Sequence, residues 1–222
     1  MQIPAIVFNK WTLRVGLGVV LASALTLGVV PLLQSRSSFA TTVIRISADG
    51  TRFSAAEILA RFPKEKHEEF MRRAIVNSRK AAEPKTGGVF GAVIVSKDGT
   101  VIADGMYRGF AENDPTWHAE THAIRVACAA LKKPKLDGCI LYTNAEPCPM
   151  CLAASYWAEL DGIFYASTAA DAKKYGDVDN DFIYEQLSKP INDRALSEQN
   201  LLRTEAVEVW KEYKDRKDKA AR

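Results

Sequence analysis

Apolar positions recur along the first long polar segment of this chain with the spacing of a helix. Phe70, Met71, Ala74 and Ile75 share one face of such a helix, and charged residues occupy most of the remaining positions. The pattern predicts a helix from about Lys64 to Ala82. Because only one face is apolar, we expect this helix to pack on a sheet.

Two strand-like runs follow a pair of glycines at 87 and 88. Val89 to Ser96 and Thr100 to Tyr107 are rich in apolar residues, several of them β-branched, and the turn residues Lys97-Asp98-Gly99 separate them. An Asp-Gly pair between two such runs is typical of a hairpin. We therefore predict two antiparallel neighbouring strands.

Helical and strand-like patterns alternate from the hairpin to the end of the chain. The predicted elements are a helix from His118 to about Leu131, a strand from Cys139 to Thr143, a helix from Pro149, a strand from Gly162 to Ala166, a helix from about Ala169 and a closing helix from about Glu205 to Lys219. This alternation predicts an α/β fold with a mixed sheet between helices. Trp157 has apolar spacing in its helix, and we expect it in the core.

The first 40 residues have the pattern of an export signal. Lys10 and Arg14 precede an apolar run from Val15 to Leu33, and Ser38-Phe39-Ala40 offers small residues at a cleavage site. The run is long enough that an uncleaved membrane anchor is the alternative. We thus expect a signal at 1–40, a short extension at 41–62, a domain at 63–222, and a periplasmic or secreted location.

The charge balance argues against a nucleic-acid partner. The whole chain has a formal charge of +3, but residues 1–40 contain Lys10, Arg14, Arg36 and no acidic residue, so the remainder is neutral (+3 − 3 = 0). Nucleic-acid affinity depends on clustered Lys and Arg that release counterions. We expect a small-molecule substrate, no nucleic acid, and membrane contact only if the signal is retained.

One histidine and two cysteines have the order and spacing of zinc ligands. His118-Ala119-Glu120 precedes Pro147-Cys148-Pro149-Met150-Cys151, which is the H-x-E and P-C-x-x-C signature of the zinc deaminases. We predict that His118, Cys148 and Cys151 bind one Zn²⁺ per chain. Three protein ligands leave a fourth tetrahedral position for water, whose pKa then falls to about 7.

Glu120 is predicted to be the catalytic acid and base. It follows His118 by two positions, close enough to exchange protons with a water at the metal while not binding the metal itself. If His118 and Cys148 each open a helix, two helix N-termini also face the metal. Their partial positive charge favours the thiolate forms of the cysteines.

Other interpretations of these residues stay open. His122, one helical turn after His118, would complete a closed structural Cys2His2 zinc site with the two cysteines. The C-x-x-C pair would alternatively be a redox pair, which the upstream His-x-Glu disfavours. Cys128 and Cys139 are expected to be buried free thiols, with a disulfide between them as the alternative.

Longer stretches of the sequence resemble the bacterial guanine deaminases of the cytidine deaminase-like superfamily. The similar stretches are 90–95, 113–120, 123–125, 141–151 and 182–184, within a resemblance that covers most of residues 64–215. The resemblance implies a cytidine deaminase-like three-layer α/β/α fold with a five-stranded mixed sheet, and a homodimer. The implied reaction is zinc-dependent deamination of guanine.

The expected substrate contacts are Phe90, Ala92, Tyr107, Trp117, Pro147 and Asn180. Tyr107 departs from the family, in which an asparagine at the corresponding position contacts the base. Because a changed set of hydrogen-bonding groups changes which substrates a pocket rejects, Tyr107 indicates another base or a nucleoside, unless it only packs in the sheet. Trp117 and Phe90 are each either a stacking wall for a heterocycle or part of the core.

Three functional hypotheses follow. The first is an exported zinc hydrolase that deaminates a free nucleobase, with guanine as the leading candidate and xanthine plus ammonia as products. The second is a deaminase of a nucleoside or another aminated heterocycle. The third, from a different class, is a non-catalytic zinc-stabilised binding domain, against which the presence of Glu120 argues.

Overall fold

Helices and strands alternate in the computed structural model, which describes residues 53–82 and 87–221. In chain order the elements are α1 (Ala55–Leu59), α2 (Lys64–Ala81), β1 (Gly91–Ser96), β2 (Val101–Met106), α3 (Ala119–Leu131), β3 (Cys139–Ala145), α4 (Pro149–Trp157), β4 (Gly162–Ser167), α5 (Ala169–Gly176), α6 (Asp181–Ser188) and α7 (Arg203–Ala220). A short 3₁₀ helix, Ile191–Asp193, separates α6 from α7. The predicted elements are confirmed to within a few residues at their ends, and α6 is a helix that the pattern did not resolve from α5.

The strands form one mixed sheet in the order β2-β1-β3-β4. β1 pairs antiparallel with both β2 and β3, whereas β4 is parallel to β3. The predicted hairpin and mixed α/β sheet are confirmed. Of the five strands that the resemblance implies, four are formed within the described residues, and β4 is an edge strand among them.

Alternating side chains divide the core into two layers, one on each face of the sheet, because successive side chains of a strand point in opposite directions. On one face, Ala92 and Ile94 of β1 pack with three alanines of α3. On the other face, Val93 and Val95 pack with Phe70 and Ala74 of α2. The central sheet between helices is the three-layer arrangement that the sequence predicts.

Gly105 sets the distance between β2 and the first turn of α3. A Cβ at this position would overlap the carbonyl oxygen of Ala119 and would lie 2.8 Å from Cβ of Ala123. Small residues on both sides therefore allow the start of α3 to lie directly against the strand. Because Ala119 lies between His118 and Glu120, this contact fixes the position of both residues relative to the sheet.

The prediction that Trp157 lies in the core is wrong, because its side chain is 78% exposed. The side chains of Cys151, Ser155 and Ala158 face the core from α4 at helical spacing, which leaves Trp157 on the outer side. The four cysteines are free, as predicted for Cys128 and Cys139, but only Cys139 of these two is buried, while Cys128 is partly exposed.

The predicted export signal at 1–40 and the first part of the 41–62 extension lie outside the described residues. Within 53–82 and 87–221, no helix combines the length and the apolar character that crossing a membrane requires.

Candidate active site

Two helix N-termini carry the three predicted metal ligands. His118 is the N-cap residue of α3, and Cys148 is the N-cap residue of α4. Pro149 occupies the first turn of α4, where its missing N–H costs no hydrogen bond. Cys151 is in the same turn, and its backbone N–H donates to Sγ of Cys148 over 3.5 Å. The two cysteine ligands are therefore brought together by the first turn of one helix.

The three ligand atoms have the spacing of a tetrahedral zinc site. Nδ1 of His118 lies 3.5 Å from Sγ of Cys148 and 3.5 Å from Sγ of Cys151. Zinc bonds of about 2.3 Å to sulfur and about 2.0 Å to nitrogen at a tetrahedral angle place S and N about 3.5 Å apart. All three atoms lie within 4.8 Å of one another. The donor set therefore fits zinc.

The closed Cys2His2 alternative is wrong. The cluster of possible metal ligands in the described residues contains His118, Cys148 and Cys151, and it does not include His122. The Nδ1 atom of His122 instead lies against the backbone of Met106, 3.3 Å from its nitrogen and 3.2 Å from its oxygen. A three-ligand set leaves one tetrahedral position open, as in catalytic rather than structural zinc sites.

Glu120 lies beside the ligands and is buried from solvent. Its Oε1 accepts a hydrogen bond from the Thr143 hydroxyl over 3.3 Å, and its Oε2 lies 3.5 Å from Sγ of Cys151. Burial raises the pKa of Glu120 above the usual value for a carboxyl group. A carboxyl group that readily holds a proton next to a metal site has the property required of a general acid and base.

The cluster favours a thiolate at Cys148. A hydrogen bond from the Cys151 thiol, followed by one from His118, lowers the pKa of Cys148 to about 4. The hydrogen bond with Cys148 in turn raises the pKa of His118. Zinc binds the thiolate form of cysteine, so the site already stabilises one ligand in the form that the metal requires.

Aromatic rings form a wall on one side of His118. The ring of Tyr107 lies 5.5 Å from the His118 ring and 6.0 Å from the ring of Phe90. Two glycines make room for it: a Cβ at Gly88 would lie 2.5 Å from the Tyr107 ring, and a Cβ at Gly109 would lie 2.5 Å from its hydroxyl oxygen. Phe90 and Tyr107 are thus brought to the site.

Ala92 and Pro147 are also brought to the site. Ala92 is opposite Thr143 in the β1–β3 register, which places it next to the partner of Glu120. Pro147 is buried and directly precedes Cys148, and its carbonyl oxygen accepts a hydrogen bond from the Tyr184 hydroxyl over 3.2 Å.

The ring contacts of Trp117 and the helix hydrogen bond of Asn180 are with residues that follow each of them closely in the sequence. The Trp117 ring lies 5.3 Å from the ring of His122, and the Arg125 guanidinium lies 4.9 Å from its centre. Trp117 therefore packs against side chains of its own neighbouring helix. Asn180 precedes α6, where its backbone oxygen accepts the N–H of Tyr184.

Thr143 and Tyr184 contact the site although sequence reasoning did not select them. Thr143 lies in β3 directly after an apolar run, and a polar residue at that place is the signal that the sequence offers. Tyr184 contributed to the family resemblance, but nothing in the pattern indicated that its hydroxyl reaches Pro147. Both contacts join residues that are more than 20 positions apart.

Comparison with known proteins identifies a family whose zinc-binding region covers His118, Cys148 and Cys151. Residues 64–167 match the family described as "Cytidine and deoxycytidylate deaminase zinc-binding region". The guanine deaminase of Bacillus subtilis is 43% identical over 155 residues, which are 68% of this chain and 98% of that protein. The chain belongs to the guanine deaminase branch of the cytidine deaminase-like zinc hydrolases.

Two further comparisons bear on the fold and on the breadth of this family. The X-ray structure of guanine deaminase from Bacillus subtilis superposes with a TM-score of 0.64, covering 67% of this chain and 94% of that one. The tRNA-specific adenosine deaminase of Aquifex aeolicus is 32% identical over 146 residues, which are 66% of this chain and 92% of that protein. The predicted α/β deaminase fold, the hydrolytic deaminase class and the zinc cofactor are confirmed.

Proposed function

We propose that this protein deaminates guanine to xanthine and ammonia in a zinc-dependent hydrolysis. The observation that carries the proposal is the buried Glu120 carboxyl group beside three side chains with zinc-site spacing. Support for guanine comes from the 43% identity to the Bacillus subtilis guanine deaminase over nearly its whole length. The non-catalytic binding domain is disfavoured, since the open three-ligand set and Glu120 are the parts a catalyst needs.

The side chains divide the work as follows. His118, Cys148 and Cys151 hold the metal, which when bound acts as a Lewis acid and lowers the pKa of water at its open position. Glu120 accepts a proton from the attacking water and passes it to the ring nitrogen next to the carbon under attack. Glu120 then takes the remaining proton from the hydroxyl group added to this carbon and gives it to the amine, which leaves as ammonia as the carbonyl forms.

Ammonia release tests the proposal. Zinc-loaded protein is offered guanine, and a Glu120→Gln variant with the same zinc content is the control. We expect turnover by the wild type and a loss of at least about 100-fold in the variant, because general acid–base catalysis contributes on this scale. Full activity of the zinc-loaded Glu120→Gln protein would refute the role of Glu120.

A nucleoside or another aminated heterocycle is the second candidate substrate, and Tyr107 is the observation that favours it. Its phenol hydroxyl both donates and accepts, so it discriminates less between carbonyl and amino groups than a fixed amide does. Guanosine, adenine, adenosine, cytosine and cytidine assayed in parallel with guanine separate the candidates. A kcat/KM for any of these that exceeds the value for guanine would replace guanine as the assigned substrate.

We propose also that the protein is a homodimer. Support comes from α7, which buries none of its residues in the single chain and exposes 72% of Trp210 and 55% of Tyr213. Aromatic side chains exposed together on one helix are typical of a surface that another subunit covers. Light scattering coupled to size exclusion should give twice the monomer mass, and a monomeric mass at micromolar concentration would contradict this.

Export is the proposed localisation. Support comes from the basic residues and the apolar run of segment 1–40, and from the neutral charge of the rest of the chain. Expression of the full sequence with a cell fraction assay and N-terminal sequencing tests this. Recovery of the uncleaved protein from membranes would favour the anchor, and recovery from the cytoplasm would refute export.

A further inference from the structure

The segment that follows β4 contacts the two residues immediately before Cys148. The backbone N–H of Ala169, in the first turn of α5, donates to Oε2 of Glu146 over 2.8 Å. The Tyr184 hydroxyl, from α6, donates to the carbonyl oxygen of Pro147 over 3.2 Å. Both contacts connect this C-terminal segment to the peptide that enters the metal site.

The contact through Tyr184 acts on a peptide group close to the metal. The carbonyl of Pro147 belongs to the peptide bond that continues into Cys148, so fixing the plane of this bond also fixes the start of α4. Pro147 itself is buried, and Cys148 is half-buried. A rotation of this peptide would therefore move a ligand atom of the site rather than a surface loop.

The Tyr184 phenol remains a donor under ordinary conditions. A phenol hydroxyl can donate or accept a hydrogen bond, whereas a backbone carbonyl oxygen has no proton to donate. The proton stays on the oxygen, and the Pro147 oxygen can only accept.

From these contacts we propose that Tyr184 is a positioning residue for the metal site. Its hydroxyl holds the Pro147 carbonyl so that Sγ of Cys148 is aligned with Nδ1 of His118. The expected change in guanine turnover rests on the proposed deaminase function, whereas the alignment of Cys148 does not.

Tyr184→Phe removes the hydroxyl alone, and Tyr175→Phe is a matched control. Tyr175 lies on α5 of the same segment, is 78% exposed, and has its ring near the side chain of Lys174. Each variant is prepared as the full-length protein in zinc and cobalt forms. The cobalt absorption bands report thiolate geometry at the metal, and steady-state kinetics with guanine report turnover.

For Tyr184→Phe we expect shifted cobalt bands and a kcat lower by roughly tenfold, with KM changed by less than about twofold, because one positioning hydrogen bond is lost. Tyr175→Phe should match the wild type in both readouts. Thermal unfolding should coincide for the three proteins, since Tyr184 is 40% exposed and the substitution leaves no cavity.

Wild-type cobalt bands and kinetics in Tyr184→Phe would overturn the proposal, as would equal losses in Tyr175→Phe. Shifted bands in a protein that shows no turnover of guanine would retain the alignment of Cys148 and refute the guanine activity. Guanine turnover by the wild type, together with unshifted cobalt bands in Tyr184→Phe, would support the guanine activity and refute the alignment of Cys148. If Tyr184→Phe unfolds at a lower temperature, Tyr184→Leu is measured beside it, and bands equal to those of the wild type in the folded fraction overturn the proposal.

Discussion

The Thr143 hydroxyl donates a hydrogen bond to Oε1 of Glu120 over 3.3 Å, and both side chains are buried. Thr143 belongs to β3, while Glu120 is in the first turn of α3. The sheet therefore sets the direction of the Glu120 carboxyl group, which we propose as the acid and base of the reaction. A carboxylate held by one oxygen keeps its second oxygen directed toward the metal ligands, 3.5 Å from Sγ of Cys151.

Replacing Thr143 by valine should lower kcat for guanine by about tenfold, because the isosteric side chain removes the donor and leaves Glu120 less well aligned. Thr143→Ser keeps the hydroxyl and should retain most of the activity. Zinc content, measured by atomic absorption, should be unchanged in both. Equal rates for the valine and serine variants would show that the hydrogen bond has no part in turnover.

Gly105→Ala should lower stability by about 1–3 kcal/mol and also reduce activity, because the added methyl group displaces the start of α3. Gly176→Ala is the control, since the nearest atom to a Cβ there is 3.8 Å away. Urea unfolding and guanine turnover measure the two effects. A stable and fully active Gly105→Ala protein would mean that α3 tolerates displacement from β2.

Removing the metal should destabilise the protein. Zinc binds the folded site far more tightly than the unfolded chain, so a chelator should lower the unfolding temperature, and added zinc should restore it. Cys148→Ser removes one ligand and should make the unfolding temperature insensitive to the chelator. Identical unfolding curves of the wild type with and without chelator would argue against zinc as a structural contributor.

The contribution of Asp104 to stability should depend on pH. Asp104 accepts a bidentate pair of hydrogen bonds from Arg73 at 2.8 and 2.6 Å and a third from Asn77 at 2.6 Å. The bonds from Arg73, and then that from Asn77, lower the pKa of Asp104. A carboxyl group with a lowered pKa in the folded state stabilises the protein above its unfolded pKa, near 3.9, and loses this contribution as the pH falls through the folded value.

Asp104→Asn tests this expectation. At pH 7 the variant should be less stable by about 0.5–1 kcal/mol, a modest value because the pair is partly exposed and screened by solvent. Below about pH 4 the difference in the free energy of unfolding should shrink as the wild-type carboxylate is protonated. Urea titrations at several pH values measure it, and a difference that is the same from pH 7 to pH 3 would contradict the ion-pair explanation.

The elements and metal ligands could be read from the sequence because they depend on neighbours along the chain. The helix of α3 and its N-cap follow from residues within a few positions of His118, and the C-x-x-C turn places two thiols together by helical geometry. The pattern also predicted the β1–β2 hairpin, because the two strand-like runs and the Asp-Gly turn between them are adjacent in the chain. The prediction for Trp157 was wrong because the spacing of apolar residues does not show how much of the helix surface the core covers.

Only the tertiary structure decided which distant groups complete the site. Thr143 pairs with Glu120, and Tyr184 pairs with Pro147, across different elements of the fold. His122 likewise contacts the backbone of Met106 on β2 instead of the metal ligands. No local pattern encodes such pairs, because they depend on how strands register and on how closely helices approach the sheet. The two cysteine ligands lie within one helical turn, whereas the approach of His118 to Cys148 and the orientation of the Glu120 carboxyl group result from packing across the sheet.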